Sequence, residues 1–171
     1  IDFAIVFSVK KANPNGDPLY GNRPRTDYAG FGEVSDVCLK RKLRDRLLDR
    51  YKSLEPGARK GQTIFVQSDD YKIDGARNLR ERAELVLTPD VMSNRKTAIE
   101  NACAEWFDVR AFGQVFPFKG KKAPKKTKAK PAEQDGSSGS ESSEKDADGV
   151  SIPVRGPVTL QSAFSVAKVD V

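Results

Sequence analysis

The sequence predicts an α+β fold in which helices cover one face of an antiparallel sheet. Residues 2–10 alternate Phe, Ile and Val with other residues, which is the pattern of a strand. Two later stretches, 36–53 and 93–107, carry apolar residues at helical spacing. Because strands and helices then follow in the order strand, helix, strand, helices, strand, a mixed sheet-and-helix sandwich is the architecture expected. The ferredoxin-like split βαβ arrangement is the commonest small example.

The first strand is expected to be central, since apolar residues occur on both of its faces. A loop follows to about residue 33. It is rich in Asn, Pro, Gly and Asp, which fix turns, and it contains Arg23 and Arg25. Long ordered loops of this kind are usually functional. The sequence therefore predicts that the loop carries a surface for a phosphate backbone.

The first helix is predicted over 36–53, with Ser35 or Asp36 as its N-cap and Pro56-Gly57 after its end. Its apolar side contains Lys40 and Arg44. Unpaired buried charge is very costly, so two explanations remain open. Either the side chains extend to solvent along the sheet edge, or a fixed anion meets them.

The rest of the chain is expected to contain two more helices and several extended stretches. We predict, in order, a short buried strand at 62–67, a helix at 75–87 broken by Thr88-Pro89, a helix at 93–107, a turn at 108–113, an extended stretch at 114–118, a bend at 155–157 and a strand at 158–166.

Composition excludes several classes of function. The 171 residues are 37% hydrophobic and 32% charged, and no stretch approaches the roughly 20 apolar residues that a membrane span needs. The chain has no His, which removes the His-dependent catalytic arrangements and the common His-based metal sites. Its two Cys, Cys38 and Cys103, fit small core thiols in a reduced cytoplasmic setting. No metal or other cofactor is predicted.

The net charge of +6 is distributed unevenly. Residues 1–52 hold 11 Lys and Arg against 7 Asp and Glu, so the loop and first helix carry a positive excess that suggests a polyanion partner. Residues 119–149 are of low complexity, with a Lys-rich half and an acidic half, and we predict a disordered insert there. Residues 1–118 and 150–171 would then form one domain. The polar 55–93 region is the candidate protrusion towards a neighbouring subunit.

The residues suited to RNA are cations for phosphates, Asn side chains that could donate to phosphate oxygens, and one aromatic ring that could lie against a base. The N-terminus of the first helix adds its partial positive charge. These candidates are Asn13, Asn15, Arg23, Arg25, Lys40, Arg41, Arg44, Arg110, Phe112 and Arg155. No catalytic residue is predicted.

A family resemblance supports the same interpretation. Five blocks, in family order, resemble the CRISPR-associated Cas7 family, with the match closest to subtype I-C. The blocks are Asn13–Pro18, Arg23–Asp27, Ser35–Lys42, Asp108–Gly113 and Val154–Val158. The resemblance implies an RRM-like core with a palm-like binding surface. It also implies copies stacked head to tail along a CRISPR RNA in a Cascade surveillance complex, with other subunits and a target DNA strand as partners. Family members are longer, so we expect the C-terminal part of the fold to be missing.

Two other functions compete with a non-catalytic RNA-binding subunit. Related subunits of type III complexes cleave RNA with an Asp in the loop after the first strand, and Asp17, Asp27 and Asp36 lie in this region. Carboxylates holding Mg²⁺ beside a phosphate would make a metal-dependent endoribonuclease. Alternatively, the chain could be a single-stranded RNA-binding module that works alone, with Phe3 and Phe7 as stacking platforms on a central strand.

Overall fold

The structure, a computed structural model, describes residues 1–119 and 149–170, and it is a mixed α+β fold as predicted. The strands are β1 (Gly16–Asp17), β2 (Arg23–Pro24), β3 (Phe31–Val34), β4 (Gln114–Lys119), β5 (Gly149–Val154) and β6 (Ala163–Lys168). The helices are α1 (Asp36–Ser53), α2 (Leu79–Val86), α3 (Pro89–Met92), α4 (Arg95–Glu105) and α5 (Phe107–Phe112).

The described strands form three antiparallel pairs, in which β1 pairs with β2, β3 with β6 and β4 with β5. The pairs belong to separate two-stranded sheets, so the ferredoxin-like strand order stays a prediction. The predicted insert lies between β4 and β5, whose register ends at Lys119 opposite Gly149. Residues 120–148 lie outside the described part of the chain.

The prediction of a strand at residues 2–10 was wrong. No described strand pairs with this segment, and its apolar side chains are open to solvent, with Phe3 58% exposed and Val6 95% exposed. Alternating apolar residues favour a strand only when a neighbouring strand satisfies the backbone N–H and C=O groups. That pairing is not encoded in the segment itself.

Residues 62–67 are largely buried as predicted, but they form no strand apart from a single bridge between Thr63 and Trp106. The backbone donors of this segment bind a side chain instead of a neighbouring strand. The N–H groups of Phe65 and Val66 donate to the two carboxylate oxygens of Asp108, at 2.7 and 3.1 Å. Asp108 therefore holds this buried segment together with Thr63, whose hydroxyl donates to the carbonyl of Glu105 at 2.7 Å.

Helix α1 has the predicted bounds, and Ser35 is its N-cap. The other helices begin later than predicted, because Asn78 and Asn94 cap α2 and α4 with their side chains. The last predicted helix is interrupted at Trp106, where Phe107 N–H donates to the carbonyl of Thr63 at 2.8 Å rather than continuing the helix. The predicted turn at 108–113 is helical up to its end at Gly113.

The core lies between the α2–α5 region and the β4–β5 hairpin. Three buried rings form its centre: Phe65, Trp106 and Phe116, with centroids 4.7 to 6.0 Å apart. Ile152 and Val154 of β5 pack against the same cluster. Strand β6 begins at Ala163 and extends to Lys168, so it overlaps only the end of the strand predicted at 158–166.

Candidate nucleic-acid interface

Asn15 joins the early loop to the start of α1. Its Oδ1 accepts hydrogen bonds from the backbone N–H of Ser35 at 2.9 Å and from the Ser35 hydroxyl at 2.8 Å. Its backbone carbonyl accepts from Arg25 N–H at 2.9 Å. Ser35 Oγ in turn accepts from Cys38 N–H and caps the helix. The loop and the helix are therefore one continuous structure, and the Asn15 side chain holds them together.

The loop begins with a tight hairpin. Asp17 Oδ1 accepts from Leu19 N–H at 3.0 Å, and the amide of Asn13 donates to the carbonyl of Asn22 at 2.7 Å. A Cβ on Gly16 would lie 1.9 Å from Asn22 Oδ1, so the Asn22 side chain packs closely over this glycine. Both predicted Asn contacts, Asn13 and Asn15, thus have hydrogen-bond partners within the protein.

Three of the predicted phosphate contacts form ion pairs near the protein surface. The pairs are Arg25–Glu33 at 2.9 Å, Lys40–Asp36 at 3.1 Å and Arg41–Asp45 at 2.6 Å. The hydrogen bond from Lys40 lowers the pKa of the Asp36 carboxyl, and Glu33 raises the pKa of Arg25. Ion pairs that solvent reaches contribute little free energy, so a phosphate could exchange with these carboxylates.

Arg44 has a different environment, which resolves the question raised by its place on the apolar side of α1. Its side chain is 13% exposed, and its Nε donates at 2.9 Å to Asp108, which is 1% exposed. The guanidinium also lies 5.3 Å from the ring centroid of Phe112. A fixed anion does meet Arg44, and it is a carboxylate of the protein itself. Lys40, one turn earlier, has Asp36 as its partner.

The remaining predicted contacts are of two kinds: Arg110 is half-buried and bonded to backbone carbonyls, and two other arginines are exposed. Arg110 donates to the carbonyls of Cys103 and Gly61, and its guanidinium lies 5.2 Å from the Phe107 ring centroid. By contrast, Arg23 and Arg155 are exposed, and neither has an ion-pair partner in the described part of the chain. An RNA contact stays a prediction for every one of these residues.

Two of the five blocks that carry the family resemblance, Asp108–Gly113 and Val154–Val158, contact each other. The chain after β5 crosses the end of α5 so closely that a Cβ on Gly156 would lie 2.2 Å from the carbonyl oxygen of Ala111. Val158 N–H donates to that same carbonyl at 2.9 Å. Arg155 is therefore near the α5 corner that carries Phe112, which in turn lies under Arg44 of α1.

Asp108 is not among the site residues predicted from the sequence. Its carboxylate receives Arg44 Nε and the N–H groups of Phe65 and Val66, so it joins α1, the 62–67 segment and α5. Two signals were present in the sequence. An acid stands between the apolar residues Trp106 and Val109, and a base stands in the apolar side of α1. Each is costly alone, and together they indicate a buried pair.

The carboxylates that could have served an RNA-cleaving metal site have local structural contacts. Asp17 accepts from Leu19 N–H, and Asp27 Oδ1 accepts from Ala29 and Phe31 N–H at 2.9 and 2.8 Å. Within residues 1–119 and 149–170, no three His, Cys, Asp or Glu residues are grouped so that they could hold a metal ion.

Two comparisons with known proteins match this chain to the same family. A model of the family described as "CRISPR-associated protein Cas7" matches residues 1–171. A protein of that name from Haloferax volcanii is 47% identical over 127 residues, which cover 68% of this chain and 32% of the relative. The chain thus spans about a third of the length of this curated relative. None of the described helices is long and apolar enough to span a membrane.

Proposed function

Because the chain belongs to the CRISPR-associated protein Cas7 family, we propose that it is a guide-RNA-binding backbone subunit of a type I complex, closest to subtype I-C. Several copies stack head to tail along the CRISPR RNA, which pairs with a target DNA strand. Other Cascade subunits complete the assembly, and the complex works in the cytoplasm. The observation that carries the proposal is the Asn15–Ser35 junction, which brings the Arg-bearing loop and the basic start of α1 into one surface.

A filament subunit must hold any guide sequence, so it must contact phosphate and ribose rather than base edges. Arg23 is suited to this because it is exposed and has no ion-pair partner among the described residues. Lys40 and Arg41 follow on the first turns of α1, where the helix dipole also favours a phosphate. Their acidic partners are close to solvent and are easily exchanged.

Arg44 and Arg110 fix the positions of the helices next to the proposed RNA surface. Arg44 fixes α1 against Asp108, and Arg110 fixes α5 against the 61–63 segment. We propose that these two residues position the binding surface and that direct RNA contacts come from Arg23, Arg25, Lys40, Arg41 and Arg155. We also propose that Phe112, whose ring centroid lies 5.3 Å from the Arg44 guanidinium, contacts a base at this surface.

Head-to-tail stacking requires two different surfaces on each copy, which gives an open helix rather than a closed ring. The 55–93 region is the proposed contact with the next copy. In this region most of the charged side chains pair locally, as in Arg77–Glu81 and Arg80–Glu84 of α2. Its charge is thereby balanced, so it suits a protein neighbour better than a phosphate strand.

Charge reversal tests the RNA surface directly. We expect Arg23→Glu and Lys40→Glu each to weaken binding to single-stranded RNA of any sequence. Each lost phosphate contact should reduce the slope of log affinity against log salt by about one unit. Lys96→Glu, which makes the same charge change at an exposed position on α4, is the control and should leave the slope unchanged. Equal slopes for all four proteins, wild type included, would remove Arg23 and Lys40 from the interface.

We also propose that the subunit has no catalytic activity of its own. Asp17 and Asp27 have structural contacts that explain their presence. The same preparations should therefore leave bound single-stranded RNA intact when Mg²⁺ is added. Cleavage by the wild type that disappears in Asp27→Ala would replace this proposal with the metal-dependent endoribonuclease.

A further inference from the structure

Two tyrosines protrude from the loop that carries Arg23 and Arg25. Tyr20 is 74% exposed and Tyr28 is 112% exposed, so most of each residue is open to solvent. Neither ring contacts another aromatic ring or a cation within the described residues. Tyrosine combines a large apolar face with a polar tip, so an exposed tyrosine ring is suited to bind a partner.

The backbone holds both rings in place. Tyr28 lies in a turn closed from both ends, since Asp27 N–H donates to the Phe31 carbonyl at 2.9 Å and Gly30 N–H donates to the Asp27 carbonyl at 3.1 Å. The Asp27 carboxylate accepts two further N–H groups of the same turn. Tyr20 ends the short 3-10 helix at Pro18–Tyr20, which Asp17 caps and Gly21 terminates in the left-handed conformation. Each ring is therefore presented from an ordered turn.

The two turns are the ends of one extended stretch. Residues 23–26 run between them, hydrogen-bonded on one side to β1 and on the other to β3. At about 3.3 Å per residue, this stretch is roughly 13 Å long. Arg23 and Arg25 are two residues apart, so they point to the same face of it. The sequence thus places two cations between two exposed rings.

We propose that Tyr20 and Tyr28 stack on unpaired bases of the bound RNA while Arg23 and Arg25 contact the intervening phosphates. Aromatic rings beside cations are the combination that binds single strands without reading their sequence. A purely apolar protein partner would leave Arg23 without compensation, whereas a polyanion pairs with Arg23 and can exchange with Glu33 at Arg25. This inference rests on the proposed function and adds to it the residues that meet the bases.

The test compares two RNA probes of equal length. One is a fluorescein-labelled single-stranded oligouridine, and the other is the corresponding abasic RNA, which keeps the sugar–phosphate backbone but has no bases to stack. With the full-length protein, we expect Tyr20→Leu and Tyr28→Leu each to weaken oligouridine binding roughly 5- to 100-fold. Binding of the abasic probe should stay within about twofold of wild type. Arg23→Glu should weaken binding of both probes.

Two control variants separate stacking from general disturbance. Tyr20→Phe and Tyr28→Phe keep the ring and should bind oligouridine like the wild type. Val6→Ala shortens a side chain that is 95% exposed and lies outside both proposed surfaces, and it should change neither probe. All variants should unfold at the wild-type temperature, since the altered side chains are in solvent.

The outcomes separate this inference from the proposed function. If the wild type binds oligouridine and the Leu variants bind it equally well, stacking is overturned while the RNA-binding subunit stands. If the Leu variants instead lose self-association in sedimentation with RNA affinity unchanged, the rings contact a protein neighbour and the inference is again overturned. If the wild type binds neither probe, the proposed function itself fails.

Discussion

At the scale of single residues, Asp108 connects three parts of the chain. One side chain accepts from Arg44 of α1 and from two backbone N–H groups of the 62–67 segment. Breaking a buried pair by removing one partner costs about 3–5 kcal/mol, because the other charge stays buried without compensation. The position of α1, and with it the position of the proposed RNA surface, therefore depends on this carboxylate.

Gly156 gives a prediction at the same scale. A Cβ there would lie 2.2 Å from the Ala111 carbonyl oxygen and 2.5 Å from Gly113 N, and both are backbone atoms that have little room to move. We expect Gly156→Ala to lower the free energy of unfolding by about 1–3 kcal/mol, as overpacking does. Urea unfolding followed by circular dichroism would measure it.

Gly57→Ala is the matched control for that experiment. A Cβ at Gly57 meets no atom within 4 Å, so this variant should stay within about 0.5 kcal/mol of wild type. If the two alanine variants prove equally stable, the close crossing between α5 and the chain after β5 is not a feature of the folded protein.

Residue-scale predictions from the sequence succeeded where the signal is local. Ser35 or Asp36 was expected to cap α1, because a cap acts on residues two or three positions away, and in the structure the cap is Ser35. Arg44 was predicted to contact RNA, yet its carboxylate partner is 64 residues away in the chain. The spacing near Arg44 indicates that this residue needs a buried partner, but it does not identify one that is 64 residues away.

At the scale of elements, a second ion pair fixes the segment before α2. Arg82 is buried and donates to both oxygens of Asp74, at 2.6 and 2.8 Å, and to the carbonyl of Phe65 at 2.8 Å. Gln67 spans the same region by donating to the Ile64 carbonyl and accepting from Ile73 N–H. The irregular 64–78 stretch is thus held by side chains rather than by strand pairing.

This pair predicts how stability depends on pH. The hydrogen bond from Arg82 lowers the pKa of Asp74 below its ordinary value of 3.8. A lowered folded-state pKa means that the unfolded chain binds the proton more readily. The stabilisation is therefore complete above that ordinary value and is lost as the pH falls through the folded-state pKa.

The prediction is tested with Asp74→Asn, which keeps the shape of the side chain but cannot titrate. At neutral pH the variant should be less stable than wild type, and the difference should shrink towards about pH 3. Urea unfolding at several pH values would measure both curves. A difference that stays constant across this range would show that Asp74 does not act through its charge.

Helices were predicted better than strands for a physical reason. The bounds of α1 follow from its own cap and from Pro56-Gly57, and α2 and α4 were misplaced only by a few residues at their Asn caps. Strands depend on partners elsewhere in the chain. Residues 2–10 have the pattern of a strand but pair with no described strand. In the 62–67 segment, the N–H groups of Phe65 and Val66 donate to Asp108 instead of to a neighbouring strand.

At the scale of the whole molecule, the aromatic core and the basic surface lie on different elements. The core is formed by α2–α5 and the β4–β5 hairpin. The candidate RNA surface is formed by the loop and the start of α1, and Arg44–Asp108 is the link between the two. The overall α+β class was predictable from element order, but this division was not, because it depends on contacts between distant residues.

The most direct measurement is the RNA that accompanies the full-length protein when it is purified from cells that transcribe a CRISPR array. A backbone subunit that assembles along a guide should retain RNA of one uniform length that carries the array's repeat sequence and resists added nuclease. Protein that is free of RNA, or that carries RNA of random length and sequence, would contradict the account.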